Sequence, residues 1–262
     1  MFTLGLIACF QEDGATAKDA LSILKKRIAK PPFHNQETYR RTMSYLSAIL
    51  DQTGGLLNSA LAMYSSDLLA LPEKNSQATS RADMAILAGL NRVLIVRDPA
   101  HPEHLTTGTL LTQLQPFCEY HPNQYMKMAF RVVYAMSSPN SSINRQKTLT
   151  NNATSKSHEL FKRTQNREFV IMALCYFTSR FFVEQLTEKS MPAVQAVRQH
   201  AKSSNKPLWL AVACGLVITV FRHNNLGAEA DKYQQIFDRI RERLPPALRG
   251  EEDVDAEGEE DD

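Results

Sequence analysis

The chain of 262 residues has only ten glycines, four cysteines and one tryptophan. Each scarcity excludes something. Alternating Val, Ile and Thr runs between Asn-Gly turns are missing, which leaves no basis for a β-sheet protein. Cys9, Cys118, Cys175 and Cys214 stand singly among apolar residues with no C-x-x-C pair. A disulfide-stapled secreted fold or a zinc ribbon is therefore not expected, and the thiols read as reduced and mostly buried. No G-x-S-x-G, phosphate loop or H-E-x-x-H occurs, so catalysis and a cofactor are not expected. Long apolar runs are also scarce. "LWLAVACGLVITVF" (208–221) is uncharged for fourteen residues, short of the ~20 that a membrane span needs. "MFTLGLIACF" (1–10) has no positive start, unlike a signal peptide. No membrane attachment and no small-molecule substrate are expected.

What is present is apolar spacing of three and four. Hydrophobic residues make up 43% of the chain, enough to bury a sizeable core. The periodicity predicts helices over 2–11, 15–30, 36–52, 56–71, 80–96, 104–120, 122–137, 141–164, 166–184, 188–203, 207–223 and 226–243. The stretch "NNATSKSH" weakens the pattern within 141–164 and predicts a break there. "DG" (13–14), "TGG" (53–55) and "NNLG" (224–227) read as inter-helix turns, with glycine in the left-handed conformation that ends a helix. Pro31, Pro32, Pro72, Pro99, Pro122 and Pro207 read as punctuation between hairpins, where a missing N–H costs little. "PEKNSQATS" (72–80) and "SSPNSSIN" (137–144) read as loops.

A spacing repeats. Ala8, Ala20, Leu24 and Pro32 match Ala48, Ala60, Tyr64 and Pro72, each forty residues on. Small residues at matched heights let two antiparallel helices approach closely, as in tetratricopeptide hairpins. A looser copy spans Trp209 to Phe237, with Gly215, Ala228 and Ala230 as the small residues. The predicted fold is all-α: a right-handed superhelix of tetratricopeptide-like hairpins, an α–α solenoid, over 1–245. A disordered acidic tail follows at 246–262.

Charge is unevenly placed. "EEDVDAEGEEDD" (251–262) holds nine of the 28 acidic residues, so the rest carries 30 basic residues against 19 acidic ones. Such a body suits anionic partners or a tail folded back loosely on it, but a solvated tail that aids solubility is the favoured reading. "KKR" (25–27) lies opposite Leu21, Leu24 and Ile28 and reads as a solvated helix face, with part of a nuclear localisation signal as the alternative. His101 and His104 flank Glu103 in "HPEH", but two histidines need a third ligand to hold a metal, so no metal site is expected. Tyr176, Phe177 and Trp209 read as packing between hairpins, with a groove-lining role as the functional alternative. Without aromatic interleaving or a nucleic-acid motif, direct DNA binding is not expected.

"GLNRVLIVRDPAHPEH" (89–104), "LQPFCEYHPN" (114–123), "YFTSRFFVEQLTEKS" (176–190) and "NKPLWLAVACGLV" (205–217) together resemble the C-terminal part of the cohesin loading factor family, fungal members above all. That family is the smaller, tetratricopeptide-type subunit of the complex that loads cohesin onto chromatin. The resemblance implies a non-catalytic adaptor in the nucleus, acting in sister chromatid cohesion. Its partner would be an extended segment of the large HEAT-repeat loader subunit, with cohesin and chromatin engaged indirectly. Family members are longer, which implies that this chain is a truncated gene product, an incomplete gene model or a fragment. Candidate partner-binding residues are Tyr45, Arg92, Arg97, Lys127, Arg131, Arg180 and Phe181. They are polar or aromatic on helices expected to come first in each pair. The alternative is a general tetratricopeptide scaffold for another assembly.

Overall fold

The computed structural model describes residues 14–29, 36–64, 79–138, 142–183, 186–244 and 246–249. Among these every regular element is a helix. The helices are α1 (Gly14–Ile28), α2 (Gln36–Thr53), α3 (Leu57–Met63), α4 (Thr79–Val96), α5 (Thr106–Glu119) and α6 (Gln124–Ser137). They continue with α7 (Ile143–Thr164), α8 (Glu168–Phe181), α9 (Met191–Ser204), α10 (Pro207–His223), α11 (Gly227–Arg241) and the single turn α12 (Pro246–Arg249). This all-helical arrangement is that of an α–α hairpin array. The expected helix at 2–11, with Ala8, and Pro31, Pro32 and Pro72 lie outside the described residues, as does 251–262.

The chain divides into two compact units, residues 1–88 with 243–262, and residues 89–242. In the first, α1 packs on α2 and α2 on α3. Ala17, Ala20 and Leu24 form the buried stripe of α1, and Ala48, Ala60 and Tyr64 are fully buried in the next hairpin. The forty-residue spacing thus marks helix contacts. Tyr64 stands on Tyr45 with ring centroids 6.3 Å apart, and its hydroxyl donates to Gln52 Oε1 at 2.7 Å. Gly55, at φ 87°, makes the turn between α2 and α3.

In the second unit each helix from α5 to α11 packs on the next, and α8 also packs on α6 and α10. That is a two-layer stack: α8 adjoins both α6 and α10, and α7, α9 and α11 lie beyond them. Side chains join that second layer, with His158 of α7 against His200 of α9 and Arg198 of α9 against Tyr233 of α11. Where α4 meets α5, a Cβ at Gly89 would lie 3.0 Å from Leu114 Cδ1, so a larger residue there would need the Leu114 side chain to shift.

Two expectations need correction. The helix over 141–164 is unbroken from Ile143 to Thr164. Ser142 caps it by accepting from the Arg145 N–H at 3.3 Å. Its buried hydroxyls are satisfied within the helix: Thr150 donates to the Gln146 carbonyl at 2.8 Å and Ser157 to the Ala153 carbonyl at 2.7 Å. The second correction concerns helix ends. In "NNLG" the left-handed residue is Asn225, at φ 59°, while Gly227 opens α11. Gln165 and Asn205 serve the same role after α7 and α9. Short polar side chains tolerate this conformation by bonding locally. Pro207 sits in the first turn of α10, where its missing N–H is harmless. Pro116 lies inside α5, which the sequence reading did not anticipate.

Candidate functional site: a basic and aromatic patch

The strongest grouping of functional side chains lies in the second unit, where α8 ends and α7 begins. Phe177 stacks at 5.1 Å from both Phe181 and Phe182. The adjacent phenylalanines thus flank one ring, although they project about 100° apart on a helix. Lys147 of α7 places its ammonium 5.7 Å from the Phe181 ring centre, within reach of the ring's negative face. Arg180 donates from Nε to Gln146 Oε1 at 3.4 Å.

Tyr176, one turn before Arg180, interacts with two guanidinium groups. Burial raises its pKa, and the charges of Arg180 and Arg97 oppose that shift. Arg97 follows α4. Burial lowers its pKa, countered by the Tyr176 phenol and then by the neighbouring Asp98. Arg97, Tyr176, Arg180, Phe181 and Lys147 therefore form one neighbourhood with three cations and one adjacent carboxylate. An exposed cation is solvated and stable alone. Here Arg97 is partly desolvated while Arg180 and Lys147 are exposed beside aromatic rings, and together they make a surface that gains from an incoming carboxylate.

The predicted residues separate on this structure. Arg97, Arg180 and Phe181 belong to the patch. Lys127 and Arg131 sit one turn apart on α6, half-buried and exposed, and neither has a carboxylate partner among the described residues. Arg92 is engaged: its Nη2 meets Glu103 Oε2 at 2.5 Å and ties the loop after α4 back onto that helix. Tyr45 belongs to the first unit and is only 5% exposed, packed on Tyr64. Sequence reasoning missed Lys147, and it favoured packing over a groove-lining role for Tyr176 and Phe177. A hint was there, since "TSRFF" repeats the cation-beside-aromatic composition that such patches use.

The remaining sites are structural. The His101 ring accepts from the Glu103 N–H at 3.1 Å, and Glu103 is held by Arg92. Among the described residues no group of three metal-ligating side chains forms. Cys118, Cys175 and Cys214 are free thiols. Burial pushes Cys118 and Cys175 up to about 12 and raises Cys214 as well, so none carries the thiolate that reactivity requires. Trp209 packs with Phe161, Val170, Val197 and Ala213 in the core. No helix among the described residues is long and apolar enough to cross a membrane.

The fold and the patch define an all-helical hairpin-array protein. The family model of the cohesin loading factor matches residues 1–227, and the chain belongs to that family. Its membership ties the chain to the loading of cohesin. No curated protein and no solved structure matches the chain.

Proposed function

We propose that this chain is a non-catalytic adaptor subunit of the cohesin loader. It holds an extended segment of the large HEAT-repeat subunit and so supports cohesin loading on chromatin and sister chromatid cohesion, in the nucleus. The observation that carries this reading is the gathering of Arg97, Arg180 and Lys147 around Tyr176 and Phe181. Aromatic and arginine side chains dominate interface energies when they are desolvated together. Charges without a partner in the free chain give orientation and rate to the encounter. An extended segment suits a hairpin array, because many modest contacts offset the cost of ordering it. Lys127 and Arg131 extend the same chemistry along α6.

The test is calorimetric titration of the N-terminal segment of the HEAT-repeat subunit into the chain. Arg131→Glu with Arg180→Glu should weaken binding at least ~10-fold, about 1.4 kcal/mol. Both residues are exposed, so thermal stability should hold. Arg92 is the wrong position for this test, because reversing it would also release Glu103. Unchanged affinity would remove the patch from the interface.

A further inference from the structure

The continuity of α7 exposes a second surface with different chemistry. A break at "NNATSKSH" would scatter the polar residues of this segment. Unbroken, α7 runs 22 residues, about 33 Å at 1.5 Å per residue. Thr150, Ala153, Ser157 and Leu160 form its buried seam. The opposite side carries Arg145, Asn151, Asn152, Ser155, Lys156 and, in the last turn, Lys162 and Arg163, all exposed. At about 100° per residue all seven fall within an arc of about 140°, so they share one broad face.

Three features characterise that face. Its one carboxylate is Glu159, which bonds Lys156 at 3.0 Å and whose pKa falls through that hydrogen bond, helped by the charges of Arg163 and Lys162. The amides of Asn151 and Asn152 and the Ser155 hydroxyl have no partner among the described residues. Apart from Ile143 at the start of the helix, no large apolar side chain on α7 is exposed.

We infer that this face of α7 binds the phosphate backbone of duplex DNA without reading its sequence. Arg, Lys, Asn and Ser are the side chains that contact phosphate and sugar oxygens. The face is about as long as one turn of a duplex, roughly 34 Å. Missing apolar anchors count against a peptide occupant, whose affinity comes from buried side chains. Phosphate binding needs no anchors, because the release of condensed counterions drives it. The inference does not rest on the partner-segment reading, since none of these residues belongs to the patch at the end of α8.

The experiment measures fluorescence anisotropy of a labelled duplex of about 20 base pairs, in mixed sequence, across a salt series. A poly-glutamate peptide serves as the competing probe. The parent chain should bind with micromolar affinity at low salt. Its log–log slope should lie near −3 to −4, as expected for four phosphate contacts at about 0.9 each. Combining Arg145→Ala, Lys156→Ala, Lys162→Ala and Arg163→Ala should lower affinity at least ~10-fold at low salt and bring the slope near zero. Circular dichroism should show a melt close to the parent's, and binding of the HEAT-subunit segment should persist. The inference is overturned if the parent fails to bind the duplex, if the variant binds as the parent does, or if poly-glutamate displaces the duplex at equal charge concentration.

Discussion

Helices α7 and α10 are built from opposite materials within one stack. α10 buries Ala211, Ala213, Cys214, Val217, Ile218, Val220 and Phe221 and packs on α8, α9 and α11. Covered from three directions, it is apolar nearly all round, and no single stripe stands out in its sequence. α7 packs on α6 and α8 through a narrow seam of mostly small residues. Ser157 bridges to Met128 Sδ at 3.3 Å while bonding its own helix. The contrast shows how a hairpin array divides its labour. A central helix holds its neighbours through apolar area. An outer helix needs only a close-fitting edge, which leaves most of its circumference for solvent and partners. Stability in such arrays is nearly a sum of local terms, so the two helices should answer differently to substitution.

The sharpest way to break the contrast is at Phe221. Its ring meets Tyr233 edge-on at 5.6 Å and packs with Val194, Val217, Ile218 and Ala230. Phe221→Ala should cost about 3–5 kcal/mol in urea unfolding. A loss under ~1 kcal/mol would mean that the site collapses freely, and α10 would not be the anchor of its neighbours. The seam of α7 is tested next. Ala153 is 3% exposed, so Ala153→Leu should overpack it and cost about 1–3 kcal/mol. Ser155→Leu, two residues on and exposed, should stay within about 0.5 kcal/mol. Equal effects at the two positions would show that the seam is not tight.

That contrast also explains what the sequence reveals. α10 and α8 were legible because apolar spacing and terminal Pro207 mark a buried rod. α7 was legible as a helix but not as a continuous one. Asn, Thr and Ser have poor intrinsic helix propensity, since their side chains compete for the backbone. Here that competition is resolved inside the helix: Thr150, Thr154 and Ser157 bond carbonyls four residues back, and tertiary packing decides the rest. Helix ends were legible in position but not in agent, because asparagine and glutamine took the left-handed role assigned to glycine. The patch gathers Arg97, Arg180 and Phe181, three of the residues chosen from the sequence. Tyr45 and Arg92 were not separable from them, since their engagement depends on Tyr64 and Glu103, which only the fold brings close. Lys147 was hidden for the same reason, its ring partner lying 34 residues away.

The smallest expected effect is one of pH, and it falls where α7 meets α9. His158 meets His200 of α9 with ring centroids 5.2 Å apart, and His200 also stands on Phe161 at 5.8 Å. His200 Nδ1 is buried with no hydrogen-bond partner. Burial lowers the pKa of both rings. Lys162 adds to this for His158, and His158 and Arg167 add to it for His200. Both imidazoles are therefore neutral in the folded chain near neutrality. In the unfolded chain each regains the ordinary value, about 6.5, and binds protons that the fold rejects. The contribution is fully present above that value and is lost as pH falls through the folded values. The cluster around α10 gathers Val194, Val217, Ile218, Val220 and Phe221 instead. On lowering pH from 7.5 to 5.5, amide protection factors in α7, corrected for the slower intrinsic exchange, should therefore fall while those in α10 hold. His158→Asn with His200→Asn should flatten that response, leaving a melting temperature that changes by only a few degrees over the range. If α10 loses protection in step with α7, or the double variant keeps the full pH response, the two helices are not held independently and the histidine pair is not what couples α7 to proton concentration.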